Sequence, residues 1–159
     1  LTLIKISRKI KKIAKKNNVK FLINDKPIIA KKVGADGCHI GQKDMNLIRS
    51  RKILGKSKII GVTCHNSKKL ALIAKRSGAD YVAFGSFFKS STKKTTFKAN
   101  IEILRWAKKK INMPTVAIGG INRSNYKKIL LNGANYIACS NYVWKNKNLD
   151  PVSAINKFK

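Results

Sequence analysis

The stretch VGADGCHIG, residues 33–41, recurs twice in altered form, as SGADYVAFG from Ser77 and as NGANYIACS from Asn132. In each copy a glycine stands where a helix should stop, and Ala followed by Asp or Asn leads into an apolar segment. A glycine in the left-handed conformation commonly ends a helix, so each copy predicts a helix followed by a buried strand. The chain therefore repeats a helix-to-strand unit.

Three further apolar segments complete the predicted set of strands: FLIND (21–25), KIIGVTCH (58–65) and PTVAIGGI (114–121). All six segments are short and alternate little, which is typical of strands covered on both faces. The segments between them place apolar residues three or four positions apart, as helices do. We therefore expect strict alternation of helices and strands, with a helix first and a helix last.

Such alternation indicates an α/β protein with a parallel sheet, either doubly wound or closed into a (β/α)8 TIM barrel. Six strands do not close an eight-stranded barrel, and such barrels usually exceed about 200 residues. The chain has 159 residues, which is the size of one domain. A barrel interpretation therefore requires that the first β-α-β is missing from this chain, which begins with Leu1 rather than methionine.

The charge of the chain is strongly positive, with 36 Lys and Arg against 6 Asp and Glu and a formal net charge of +30. Only six of the basic residues are arginine, and the lysines are spread over nearly every helical segment. Base recognition favours arginine gathered in one patch or groove. We therefore favour a compositional bias of an A/T-rich genome over a dedicated nucleic-acid surface.

The sequence carries no signal for a membrane or for disulfides. No apolar run approaches the roughly 18 residues of a membrane span. Cys38, Cys64 and Cys139 lie far apart in strand-like segments, without the short paired spacings of a zinc or redox site. We expect a soluble, cytoplasmic protein with three reduced core cysteines.

The six acidic residues separate into two groups. Two carboxylates, Asp25 and Asp44, fall at the carboxyl ends of neighbouring strands, where α/β proteins place their sites. Mg²⁺ prefers one or two protein carboxylates together with substrate phosphates. The alternatives are that each pairs with a lysine or caps the next helix, as Asp25 could before Pro27. The other four acids suit turns or helix starts: Asp36, Asp80, Glu102 and Asp150.

The remaining strand ends offer groups that could bind phosphate. The loop KSSTKKT (89–95) combines hydroxyls, amides and lysines, although a solvated charged loop would look the same. Gly119 and Gly120 would let a phosphate approach bare amides, or would serve a turn with positive φ. His39 is expected in the core or on its rim. His65 ends a strand but has no evident nucleophile to activate, so we do not assign it as a base.

Taken in order, these segments resemble the thiamine-phosphate synthase family and its thiazole tautomerase relatives, from about Lys20 to Val143. The resemblance implies a barrel domain over residues 1–159, incomplete at its N-terminus. It also implies a transferase that joins hydroxymethylpyrimidine diphosphate to thiazole phosphate and releases pyrophosphate, with Mg²⁺ as cofactor. The motifs that carry it are FLIND, GADGCHIGQKD, IIGVTCHN, GADYVAFGSFFKSSTKK, PTVAIGGIN and GANYIACSNYV.

Position by position, the resemblance also implies site residues. Asp25 and Asp44 match the metal ligands, and Asn24 matches a substrate-binding asparagine. Thr63 replaces a serine near the pyrimidine diphosphate, and it is expected to act in catalysis together with Lys93, which contacts the diphosphate. The thiazole phosphate is expected to be bound by Ser90, Ser91, Thr92, Gly120, Ser140 and Asn141.

The chain departs from the family at several positions. Ser86 and Lys89 replace prolines, and a Gln-x-Arg-x-Lys segment that grips the diphosphate would precede Leu1. We therefore expect a truncated sequence or a divergent, inactive copy, and the tautomerase remains open. The retained INDK and GQKD motifs favour the synthase because an isomerisation needs no metal. The expected partners are the two small-molecule substrates, without specific nucleic acid or membrane, and a homo-oligomer stays open.

Overall fold

The computed structural model of the chain describes residues 2–89 and 96–158. The chain forms two compact units. The first unit comprises Leu1–Thr63 with Ile73–Asp80, and the second unit comprises Cys64–Leu72 with Tyr81–Lys159.

Helices and strands alternate through the first unit. The elements are α1 (Leu3–Lys16), β1 (Leu22–Asn24), α2 (Pro27–Val33), β2 (Gly37–Ile40), α3 (Leu47–Leu54), β3 (Ile59–His65) and α4 (Lys68–Arg76). The last two of these, β3 and α4, each contribute residues to both units. Strand β1 pairs in parallel with β2 and β2 with β3, so that Asn24 lies opposite His39 and His39 lies opposite Gly61. Ile60 and Leu54 are buried in the core of this unit.

The second unit continues the same alternation. The elements are β4 (Tyr81–Phe84), α5 (Ile101–Lys110), β5 (Thr115–Ile118), α6 (Tyr126–Leu131), β6 (Tyr136–Ala138), α7 (Asn141–Trp144) and α8 (Pro151–Asn156). Strand β4 pairs in parallel with β5, and β5 with β6. Phe84, Leu104, Ile111 and Ile129 are buried within this unit. The predicted α/β class is confirmed, and all six predicted strands are present.

The helix ends show why the repeated motif produces this alternation. Gly34, Gly78 and Gly133 have φ values of 63°, 86° and 110°, a conformation that residues with a Cβ adopt at a cost. Asp150 caps α8, since its side chain accepts hydrogen bonds from the amides of Val152 and Ser153. The short helix α7 was not predicted, because four residues are too few to show helical spacing.

Two acidic residues hold the beginnings of strands in the first unit. Asp36 accepts a hydrogen bond from the amide of Phe21 at 2.8 Å, and Asp80 accepts one from the amide of Ile60 at 2.6 Å. Asp80 also forms an ion pair of 2.6 Å with Arg51. These contacts confirm that both acids have structural roles.

The guanidinium of Arg51 makes several contacts at the end of α3 in the first unit. In addition to Asp80, it donates hydrogen bonds to the carbonyl oxygens of Gly55, Lys58 and Gly78. One side chain therefore connects a helix end, the residue before β3 and the end of α4.

The cysteines follow the prediction in two of three cases. All three are free; Cys38 in β2 and Cys64 in β3 are buried. Cys139 follows the end of β6 and is only half-buried, as are Ile137 and Ala138 within that strand. Among the residues that the structure describes, no helix is long and apolar enough to cross a membrane.

Candidate functional site

Asp25 follows β1 directly and has a φ of 63°, a left-handed conformation that Asp and Asn adopt more readily than most other residues. Its amide donates a hydrogen bond of 2.7 Å to the carbonyl oxygen of His39, which fixes the turn against β2. The residue at the N-cap of α2 is Lys26, whose side chain makes no capping hydrogen bond. Asp25 therefore stands one residue before the N-cap position, and its binding of a metal ion remains a prediction.

Asp44 lies in the loop between β2 and α3. Its Oδ2 atom accepts a hydrogen bond of 2.7 Å from the amide of Gly41, which folds the loop back on itself. Helix α3 is capped by Asn46, whose side chain accepts from the amide of Arg49 at 2.9 Å. Capping of α3 is thus wrong for Asp44, which is half-buried beside the end of β2.

The two carboxylates act on a common neighbour, Cys38. Burial raises the pKa of the Cys38 thiol to about 11, and the negative charges of Asp25 and Asp44 also contribute to the increase. Both carboxylates therefore lie close enough to this buried thiol to influence it.

The donor set fits one class of metal ion. Within residues 2–89 and 96–158, no group of three or more His, Cys, Asp and Glu side chains could hold a metal. Zinc sites use three or four such ligands. Mg²⁺ needs only one or two carboxylates, because water and substrate phosphates complete its coordination. Asp25 and Asp44 therefore fit Mg²⁺.

A contact that was not predicted joins His39 to Thr63. The Nε2 atom of His39 lies 2.8 Å from the Oγ1 atom of Thr63. Burial lowers the pKa of His39, and the charge of Asp44 opposes this shift only in part. The signal in the sequence was the period of two along β3: Gly61 lies opposite His39, so Thr63 faces the same side of the sheet.

Gln42 and Asn24 complete the polar strand ends of the first unit. The Nε2 atom of Gln42 donates a hydrogen bond of 2.5 Å to the carbonyl oxygen of Thr63. Asn24 ends β1, is exposed, and lies opposite His39. The structure thus places Asn24, Asp25, Asp44 and Thr63 on strand ends or the loops that follow them.

Two glycines follow β5 in the second unit, so the chain presents backbone rather than side chains at this strand end. Gly119 and Gly120 have φ values of 103° and 63°. A Cβ at Gly119 would lie 2.1 Å from the side chain of Ser86, and one at Gly120 would lie 2.5 Å from the carbonyl oxygen of Lys89. The amide of Phe88 also donates to the carbonyl oxygen of Gly119 at 3.0 Å. Both glycines are therefore required by the turn and by the segment 86–89 packed against it.

Ser140 and Asn141 lie where β6 gives way to α7. Ser140 occupies the N-cap position and is exposed, and its side chain makes no capping hydrogen bond. Its carbonyl oxygen accepts from the amides of Val143 and Trp144 at 3.0 and 2.8 Å. The phosphate-binding turn expected here is thus the first turn of a short helix, and a phosphate at this position remains a prediction.

The predicted loop residues Ser90, Ser91, Thr92 and Lys93 lie outside the described residues. The segments on either side of them are joined by backbone hydrogen bonds. The amide of Ser86 donates to the carbonyl oxygen of Phe97 at 3.2 Å, and the amide of Ala99 donates to that of Ser86 at 2.8 Å.

His65 ends β3 with a φ of 52°. Its ring stacks on Phe97 with 4.0 Å between the centroids. Burial lowers the pKa of His65, which favours the neutral ring. The stacking gives this histidine a packing role.

Comparisons with known proteins agree on one family. The family model described as thiamine monophosphate synthase matches residues 2–143. The thiamine-phosphate synthase of Pelagibacter ubique is 58% identical over 154 residues, covering 97% of this chain and 74% of that protein. That of Rhodospirillum centenum is 41% identical over 141 residues, covering 89% of this chain and 68% of that protein.

A solved structure supports the fold. The thiamine phosphate pyrophosphorylase from Pyrococcus furiosus matches with a TM-score of 0.87 and 29% sequence identity. The match covers 97% of this chain and 72% of that chain. The predicted α/β fold of the TIM-barrel type is confirmed by this likeness.

Proposed function

Because the chain belongs to the thiamine monophosphate synthase family, we propose that it joins hydroxymethylpyrimidine diphosphate to thiazole phosphate, forming thiamine phosphate and pyrophosphate. The observation that carries this proposal is the 58% identity to a thiamine-phosphate synthase across 97% of the chain. The polar strand ends of the first unit support it.

The reaction requires one bond to break and one to form. The bond between the pyrimidine methylene carbon and the diphosphate oxygen breaks, and the electron pair leaves with the diphosphate. The thiazole nitrogen then donates its lone pair to the methylene carbon, forming the new C–N bond. No proton must be removed from either substrate, so no general base is needed. This agrees with the stacked, structural environment of His65.

The chain's task in this scheme is to stabilise the charge that develops on the leaving diphosphate, usually the largest catalytic contribution in such reactions. Asp25 and Asp44 would hold Mg²⁺, which supplies positive charge to the diphosphate oxygens when it is bound. Thr63 and Lys93 would donate hydrogen bonds to the same group, and Asn24 would orient the pyrimidine substrate.

The second unit would supply the site for the thiazole phosphate. Gly120 would offer its amide, and Ser140 and Asn141 would offer side chains and the first amides of α7. Ser90, Ser91 and Thr92 would contribute hydroxyl groups. Neutral donors of this kind suit a phosphate that is held but not displaced.

The experiment is to incubate the purified full-length protein with both substrates and Mg²⁺ and to measure thiamine phosphate and pyrophosphate. We expect stoichiometric formation of the two products, dependent on Mg²⁺. Absence of thiamine phosphate under these conditions would refute the synthase. Metal-independent isomerisation of a thiazole carboxylate phosphate in the same assay would instead identify the tautomerase.

The high positive charge leads to a separate control. Because phosphate contacts alone give binding that weakens steeply with salt, affinity for nucleic acid should vanish at physiological salt. Retained binding to duplex or single-stranded DNA at that salt would favour a nucleic-acid module.

A cytoplasmic location forms part of the proposal and is supported by the free state of all three cysteines.

The domain prediction also remains a proposal: residues 1–159 would belong to one barrel domain. The apolar residues Leu3, Ile6, Ile10 and Ile13 follow helical spacing on α1 and are all exposed. A further strand–helix unit of the same barrel would cover this stripe. Adding the unmatched part of the Pelagibacter ubique relative should raise the melting temperature and reduce binding of a hydrophobic dye; unchanged values would count against the proposal.

A further inference from the structure

The contact between His39 and Thr63 links two strands next to the proposed diphosphate site. The Nε2 and Oγ1 atoms are 2.8 Å apart, and both residues are half-buried. His39 lies in a row across the sheet with Asn24 and Gly61. Because Gly61 has no side chain and Thr63 is two residues further along β3, the imidazole meets the hydroxyl on the same face.

We propose that His39 is a positioning residue whose Nε2–H donates to Thr63 Oγ1 and thereby directs the Thr63 hydroxyl proton towards an anionic oxygen of the diphosphate. This inference rests on the proposed function, since it assigns a role to a residue of that site. It adds a residue that the sequence had placed in the core or on its rim.

The direction of the hydrogen bond follows from what a diphosphate needs. A hydroxyl has one proton and two lone pairs, and phosphate oxygens accept but do not donate. When His39 donates to one lone pair, the Thr63 proton is left to donate to the substrate. A hydroxyl that accepts a hydrogen bond is also polarised, so it becomes a stronger donor.

Thr63 is held at a second point by Gln42. The side-chain amide of Gln42 donates to the Thr63 carbonyl oxygen, so the backbone and the hydroxyl of Thr63 are both fixed from β2 and the loop that follows it. The same loop carries Asp44, folded back by its hydrogen bond from Gly41. The donor is therefore oriented before the substrate arrives, which is the condition for electrostatic stabilisation by a preorganised site.

The test is a double-mutant cycle of His39→Leu and Thr63→Val in the full-length protein. Each single variant should lower kcat/KM for the pyrimidine diphosphate about 10-fold, the size of one hydrogen bond. The double variant should be no more than about 2-fold lower than either single one, because His39 acts through the hydroxyl. His39→Gln, which retains a side-chain N–H donor, should recover most of the loss.

Calorimetric binding of pyrophosphate in the presence of Mg²⁺ provides a readout without turnover. The single variants should weaken pyrophosphate binding to a similar extent, and the double variant no further. The KM for thiazole phosphate should stay within about 2-fold of the original value, because Thr63 is proposed to face the other substrate.

Thr115→Val is the matched control for a loss of stability. Thr115 is a buried threonine at the start of β5 whose hydroxyl donates to the carbonyl oxygen of Gly133. Its substitution should lower the melting temperature without changing kcat/KM. A His39→Leu variant that behaves in this way would overturn the positioning role.

Further outcomes would decide against the inference. Additive losses in the cycle, or no recovery with His39→Gln, would overturn it while leaving the synthase intact. If the unmodified protein makes no thiamine phosphate, the proposed function fails, and the pyrophosphate cycle still decides the role of His39. Coupled losses of pyrophosphate affinity in the variants would support the positioning role of His39. Equal pyrophosphate affinity in all four proteins would refute that role.

Discussion

The strand ends of the first unit and those of the second unit differ in the polar groups that they present. The first unit uses side chains: Asp25, Asp44 and Thr63 stand on short loops or strand ends, held by hydrogen bonds to the neighbouring strand or loop. The second unit uses glycines, and Gly119 and Gly120 let the segment 86–89 pack against the backbone. Under the proposed function, carboxylates that hold Mg²⁺ suit a group that must leave, whereas backbone amides suit a group that is only held.

Asp44→Asn should have the largest effect, because it removes a charge from the first unit and retains an acceptor for the Gly41 amide. We expect a loss of about 100-fold or more in kcat/KM and weaker dependence on Mg²⁺. Steady-state kinetics over a Mg²⁺ titration provides the measurement. The matched control is Asp36→Asn, since Asp36 holds a strand start. Activity of the Asp44 variant within about 2-fold of the original enzyme would break the comparison.

Gly120→Ala tests the backbone character of the second unit through stability. The left-handed φ and the 2.5 Å approach to the Lys89 carbonyl oxygen should together lower the free energy of unfolding by about 2–4 kcal/mol. Gly78→Ala is the control, because Gly78 has a φ of 86° at the end of α4 but no atom lies within 4 Å of the position that an alanine methyl group would occupy. It should lose only about 1 kcal/mol in urea unfolding. If both variants lose the same free energy of unfolding, the close approach to the Lys89 carbonyl oxygen contributes nothing to the cost at Gly120.

The two histidines predict a moderate pH dependence of stability. Burial lowers the pKa of both His39 and His65 below the ordinary value of 6.5. Above that pH both histidines are neutral in the folded protein and in the unfolded chain, so the full stability is present. As the pH falls below 6.5, the unfolded chain binds protons that the folded protein does not, so the free energy of unfolding decreases until the folded pKa is reached.

Urea unfolding between pH 5 and pH 8 measures this dependence. His39→Gln should flatten the slope more than His65→Gln, because His39 is the more deeply buried of the two. A slope that neither substitution changes would assign the pH dependence to other groups. It would then be wrong that His39 of the first unit contributes more to the slope than His65 of the second unit.

The smallest expected effect concerns the thiols. Burial raises the pKa of Cys38 and Cys139 to about 11 and that of Cys64 to about 12. Alkylation at pH 8 should therefore be slow at all three sites, because the thiolate is the reactive form. Cys139, which is half-buried, should react first in a time course followed by mass spectrometry. Reaction of Cys38 at the rate of a free thiol would contradict its environment.

The sequence was sufficient for the fold because the repeated glycine motif marks each helix end, and Gly34, Gly78 and Gly133 indeed have positive φ. It also isolated Asp25 and Asp44, because an acid without a structural explanation is conspicuous in so basic a chain. It could not exclude capping, which depends on the residue whose side chain reaches the first amides. The structure shows that Asn46, rather than Asp44, caps α3, and that Lys26 stands at the N-cap position of α2.

The contact between His39 and Thr63 could not be predicted from the sequence of either strand alone, since it depends on the register between β2 and β3. Periodicity assigns residues to a face, but the partner on the next strand follows only once the register is known. Likewise, Gly119 and Gly120 were attributed equally to a ligand or a turn, and the close approach of the segment 86–89 explains them through packing.

Arg51 is an arginine that lysine could not replace, although the composition of this chain is biased towards lysine. Its planar guanidinium serves Asp80 and three carbonyl oxygens in different directions. A lysine ammonium is a single point of charge and cannot span these acceptors. A genome that drifts towards lysine codons can therefore replace many arginines on the surface of this protein, but the geometry of the connection at Arg51 sets a limit to that drift.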